Sequence, residues 1–209
     1  EECLEKFREE LIKLDPDVLT GWNFIDFDLV FLQDLFKKHK IKFDIGRNND
    51  NLRLRIEGNF FRSSSASITG RQVLDGLNLI KDPFIQEAPL IRNANFESYT
   101  LEDVSRAILN KGKLLAGKER HKEIIELYNN NQQKLVDYNL MDCQLVYEIL
   151  DKTKMIDLLT ERSELTGLTF DRLAGSIAAF DSLYLREARS RNLVSPTTVF
   201  TKTEERIIG

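Results

Sequence analysis

Two short constellations in this sequence carry side chains able to exchange protons and anchor hydrogen bonds. The first runs Gly21, Trp22, Asn23, Phe24, Ile25, Asp26, Phe27, Asp28 and sets two carboxylates two residues apart, where a strand pattern gives way to a helical one. The second runs Tyr138, Asn139, Leu140, Met141, Asp142, and the i to i+4 spacing puts its phenol and its carboxylate on one helix face. Each also has an ordinary structural use. An Asp at a helix start is commonly an N-cap, and a Tyr/Asp pair on a helix is commonly a hydrogen-bonded surface pair. Neither pattern alone assigns a reaction.

The elements that must position these groups follow from apolar spacing. Leu4, Phe7, Leu11 and Leu14 give one face to a helix that Asp15 and Pro16 stop, and a short strand follows over Asp17 to Trp22. Leu29, Leu32, Leu35 and Phe36 mark the next helix, which runs to Lys40 with Lys37, Lys38, His39 and Lys40 set against its C-terminal dipole. Residues 52 to 69 predict a hairpin, since Leu52, Leu54 and Ile56 alternate with charged residues after a turn-rich stretch. Gln72 to Leu74 reads as a strand ending at Asp75, and residues 76 to 82 as a short helix. Thr100 to Leu109 reads as a helix with Thr100 as N-cap and Asp103 in the place of a capping-box glutamate. The longest helical pattern spans Gln132 to Lys152. Leu165 to Phe170 reads as extended around Gly167, and Asp171 to Asn192 as a helix with Ile177, Phe180, Leu183 and Tyr184 on one face. This order predicts a mixed sheet covered by helices.

Composition narrows the class. At 209 residues and 42% hydrophobic content, one main domain is the default, with room for a helical extension. A net charge of -4 does not announce a nucleic-acid binder, so any phosphate affinity must come from local positive charge and should be weak in the isolated chain. Cys3 and Cys143 stand far apart outside any CxxC or Cys/His grouping, which speaks against zinc and against a disulfide framework. A reducing cytoplasm suits such a chain. No stretch approaches the roughly 18 to 20 apolar residues needed to span a bilayer. The chain starts at Glu1 and stops after Ile207 and Ile208, and both ends read as cuts in a longer parent.

Taken together and in this order, the two constellations resemble the second and third exonuclease motifs of family B DNA polymerases. That family writes the second motif as Asn, three residues, Phe-Asp, and the third as Tyr, three residues, Asp. Asn23, Phe27 and Asp28 fit the one, and Tyr138 and Asp142 fit the other, without gaps. Pro16 to Gln33, Gly70 to Leu79, Tyr138 to Val146 and Gly167 to Tyr184 are also similar to the corresponding stretches of the family, its bacterial polymerase II branch above all. The resemblance implies a ribonuclease-H-like α/β exonuclease fold, truncated at its N-terminal strands, over residues 1–157, and a helical connector toward the polymerase palm over residues 158–209. It implies proofreading by two-metal hydrolysis, with Mg²⁺ or Mn²⁺ clamping the attacking water and the leaving 3′ oxygen of a terminal phosphodiester. In that scheme Asp142 ligates the metal that activates water, Tyr138 orients that water or a phosphate oxygen, and Asp28 holds the second metal. Asn23 supports the loop or touches the terminal nucleotide, and Phe27 packs under the site. Asp26 has no counterpart in the motif and reads as a solvated cap, while Asp75 reads as a structural one.

One departure matters. The family's first motif, Asp, one residue, Glu, has no counterpart before residue 17, and its absence should leave Asp28 and Asp142 as a weakened pair. The implied partners are a single-stranded DNA 3′ end, the remaining polymerase domains and a sliding clamp, in a nucleoid-associated setting. A catalytically dead exonuclease-fold scaffold and a free-standing DNA exonuclease are the competing readings. Arg186, Arg189 and Arg191 read as a solvated face. The carboxylates of Asp28 and Asp142 are expected within roughly 10 Å, room for two ions. The strand at Asp17 to Trp22 is expected to self-associate, or to be covered by the hairpin or by the tail after Val194.

Overall fold

The computed structural model describes residues 1–48, 50–56, 64–111, 120–170 and 176–196. Helix α1 (Glu2–Leu14) ends where Asp15 turns left-handed, at φ 44°, and donates its backbone N–H to Leu11. Strand β1 (Val18–Gly21) follows, then a π-helical segment, Phe24–Leu29, that runs directly into α2 (Val30–Lys38). Strands β2 (Arg53–Arg55) and β3 (Ser65–Ser67) form the expected antiparallel hairpin, whose tip lies outside the described residues. Strand β4 (Gln72–Asp75) pairs with β1 in parallel, in the register Val18 to Gln72 and Gly21 to Asp75. Then come α3 (Gly76–Lys81), α4 (Pro83–Gln86), α5 (Leu101–Leu109), α6 (Arg120–Asn130), α7 (Gln132–Lys152), α8 (Met155–Thr166) and α9 (Ser176–Ser190). The described part is thus a mixed α/β structure, mostly helical, with little sheet.

The parallel pair divides the apolar residues into two cores. Leu19 and Val73 face Leu29, Phe36, Phe43 and Ile45, while Val18 and Leu74 face Ile80, Val104, Ile149 and Met155. Neighbouring strand residues point to opposite faces, so one short parallel pair can seat apolar groups on both sides. The second core is built mainly on α5 against α7, with Val104 of α5 and Met155 at the head of α8 fully buried in it. The first is closed by the stacked rings of Phe36 and Phe43, whose centroids lie 4.3 Å apart.

Several sequence expectations are corrected by these elements. Leu165 belongs to α8 rather than to an extended stretch, and Gly167 ends that helix in the left-handed region at φ 72°, its N–H bonded to Ser163. Glycine suits such a cap because a Cβ would be strained there. The strand at β1 is partnered by β4, not by the hairpin, because the segment after the hairpin returns at Asp17, whose carbonyl accepts the Gln72 amide at 2.8 Å. Among the described residues β1 has no second strand neighbour. The tail beyond residue 196 lies outside the described residues, as do residues 171–175 at the expected start of α9. The apolar face of α9 is at the surface, with Ile177 77% and Phe180 65% exposed.

Candidate active site

The carboxyl ends of β1 and β4 lie side by side, and the first constellation grows from the end of β1. Glycine at 21 and 76 lets the chains close there. A Cβ on Gly76 would meet the Trp22 ring at 3.1 Å and the Gly21 carbonyl at 3.2 Å. Trp22 is fixed beyond that contact by its indole N–H, which donates to the Tyr99 carbonyl at 3.2 Å. Asn23 then takes the left-handed conformation at φ 58°, and its carbonyl accepts the Phe27 amide at 3.1 Å. Asn tolerates that conformation better than most residues, which gives the motif's Asn a backbone reason independent of any substrate.

The wide turn that follows presents Phe24 to Leu29 with alternate fates. Ile25 and Leu29 are buried and anchor it in the first core, whereas Asp26 is exposed, as the reading of a solvated residue requires. Phe27 does not pack under the site: it is 66% exposed. The reason is the turn itself, since Ile25 and Leu29 take the inward positions and leave the Phe27 ring to point outward. Asp28 is half-buried, and burial pushes its carboxyl above the ordinary 3.8, with the charge of Asp75 adding to the rise.

Asp75 is the most enclosed acid here, at 4% exposure. Its Oδ1 accepts the Leu77 and Asn78 amides at 3.0 and 3.2 Å, capping α3 as expected, and its Oδ2 accepts the Ile25 amide at 2.9 Å. The cap was legible from an Asp ahead of a short helix. The reach to Ile25 was not, because those residues are 50 positions apart. Burial raises the Asp75 carboxyl, its three amide partners oppose that, and the charge of Asp26 adds to it.

The second constellation sits on α7. Tyr138 is buried at 7% exposure, and its hydroxyl oxygen and Asp142 Oδ1 are both enclosed atoms on the same helix face. Burial raises the thiol of Cys143, one residue on, and the negative charges of Asp142 and then of Asp28 raise it further. Cys143 itself is exposed, and nothing in its spacing distinguished it in the sequence.

Carboxylate oxygens are the donors a hard divalent cation takes. Among the described residues, however, no group of three or more His, Cys, Asp or Glu side chains is placed to hold a metal ion. The carboxylates of Asp28 and Asp142 suit Mg²⁺ or Mn²⁺ in donor type. Of the three arginines near the end of α9, Arg186 donates to the carbonyls of Ser182 and Leu165, and Arg191 pairs with Glu187 at 2.8 Å.

A parallel strand pair cored on both faces, with acids at its carboxyl ends, is a mixed α/β arrangement. Residues 1–104 match the family model for the exonuclease domain of DNA polymerase family B, and the chain belongs to that family. It is 34% identical to DNA polymerase II of Escherichia coli over 93% of its own length and 24% of the relative's. It is 29% identical to the DNA polymerase delta catalytic subunit of Glycine max, over 98% of this chain and 19% of that one. The subunit of the same name from Dictyostelium discoideum is 28% identical over 100% of this chain and 19% of its own. The chain thus spans 24% or less of the length of these relatives.

Proposed function

We propose that this chain supplies the proofreading 3′ to 5′ exonuclease part of a DNA-directed DNA polymerase, acting on the terminal phosphodiester of single-stranded or mispaired DNA. The observation that supports the reading is the match of residues 1–104 to the family's exonuclease domain, with Asn23, Phe27 and Asp28 at the end of β1 and Tyr138 and Asp142 on one face of α7.

In this reading Asp28 and Asp142 hold divalent ions, Mg²⁺ or Mn²⁺. Two such ions, when bound, clamp the attacking and leaving oxygens of an in-line displacement. Tyr138 orients the water or a phosphate oxygen from its buried position on the Asp142 face. Asn23 sets the turn that carries Asp28, and the exposed Phe27 ring is offered to the terminal nucleotide. The reading takes residues 1–157 as exonuclease domain and 158–209 as a connector toward a palm. Its partners are a DNA 3′ end, the other polymerase domains and a sliding clamp, and the unpaired edge of β1 favours self-association of the isolated chain.

Alone, the chain should degrade single-stranded DNA poorly, because two carboxylates fall short of a full two-metal ligand set. The test is twofold. In a full-length polymerase carrying these residues, Asp28→Ala and Asp142→Ala should each abolish 3′ end hydrolysis while primer extension persists. Retained hydrolysis in both variants would sink the assignment. Degradation by the isolated chain that disappears in both variants would show that other carboxylates complete the site.

A further inference from the structure

The geometry points to Asp75 as a positioning residue: by gripping the Ile25 amide, it holds the π-helical turn that presents Asp28 to the candidate metal site. This rests on the reading of Asp28 as a metal ligand.

A simple N-cap needs only the amides of its own helix. Asp75 has those in Leu77 and Asn78, both on Oδ1, and spends its second oxygen on a turn 50 residues away. That turn carries little else of its own kind to fix it. Asn23 at its head makes no side-chain cap bond, and the segment passes directly into α2. Its hold on the sheet end is the apolar burial of Ile25 and Leu29 together with the Asp75 bond. Only Asp presents two acceptor oxygens at this reach. A Ser would cap α3 with one oxygen and leave the buried Ile25 amide without its partner.

Asp75 is not itself offered as a ligand. Its two oxygens accept three amides, and it is buried at 4% exposure. It acts through Asp28, as a carboxylate that orients a ligand acts through the ligand.

Two readouts on the chain decide the matter. The first is amide exchange by ¹⁵N NMR without metal: Asp75→Ser should speed Ile25 exchange roughly tenfold while α3 stays protected. The second is Mn²⁺ titration followed by line broadening at residues around Asp28 and Asp142, where the apparent affinity should fall about tenfold, the usual scale for loss of an outer partner. Asp75→Asn, which keeps one acceptor oxygen, serves as a second variant if the serine form folds poorly. Asp82→Ala removes a comparable cap, the one holding the Phe84 and Ile85 amides of α4, and should leave both readouts unchanged. Unchanged Ile25 exchange, or Mn²⁺ affinity equal to the unsubstituted chain, overturns the proposal. An equal loss of affinity in Asp82→Ala would also overturn it, since general destabilisation would then explain the effect. If the unsubstituted chain shows no broadening near Asp28 and Asp142 even at millimolar Mn²⁺, the functional half of the proposal fails, while the metal reading is decided by the full-length variants. Ile25 exchange then still reports whether Asp75 holds the turn.

Discussion

The two carriers of the candidate site are built on different physics. Tyr138 and Asp142 ride on α7, a 21-residue helix whose Leu145, Val146, Ile149 and Leu150 are buried against α5 and its neighbours. Asp28 rides on a six-residue π-helical turn that begins with a left-handed Asn23 and is tied to the sheet end by Asp75. The helix is positioned by apolar packing spread over many side chains, whereas the turn depends on a few backbone-specific features. A long helix therefore tolerates the loss of one polar contact, while the turn should be sensitive to single changes of conformation or hydrogen bonding.

The largest expected effect breaks the helix side. Ile149 is 1% exposed, and Ile149→Ala should cost about 2 to 5 kcal/mol through lost burial and the cavity left behind. Urea unfolding would measure it, and a loss below about 1 kcal/mol would mean that α7 is not held by its core face.

Next comes the turn. Asn23→Ala forces an ordinary side chain into φ 58°, which should cost about 1 to 2 kcal/mol, whereas Asn23→Gly should be close to neutral. Thermal melts of the two variants side by side would show it. Equal destabilisation would shift the role of Asn23 from its backbone to its amide.

A pH series sharpens the contrast without metal. The Asp28 carboxyl is raised from 3.8 in the folded chain, so the native state holds that proton more tightly than the unfolded one does. Its penalty is absent below about pH 3.8 and grows as pH rises through the raised value. In chelator, Asp28→Asn should thus be more stable than the unsubstituted chain at neutral pH, and the gap should close as pH falls toward 3.8. A gap that widens in acid would contradict the buried, charge-crowded setting of Asp28.

The smallest effect belongs to Phe27. With its ring 66% exposed, Phe27→Ala should change stability by no more than about 0.5 kcal/mol. A larger loss by calorimetry would return this ring to the packing role that the motif suggested.

The sequence by itself determined the local pieces, because their causes are local. Period and caps delimited α7 from Gln132 to Lys152, Thr100 and Asp103 marked the head of α5, and Asp75 declared itself the cap of a short helix. The motif spacings also marked Asn23, Phe27, Asp28, Tyr138 and Asp142 as the residues to watch. Tertiary structure alone decided how their carriers are placed. The parallel register of β1 on β4 sets residues 54 positions apart in line, and no periodicity encodes such a pairing. That register also sets the Asp75 carboxylate beside the start of the π-helical turn. Only where the two strand ends lie side by side does the Ile25 amide come within reach of a carboxylate 50 residues away.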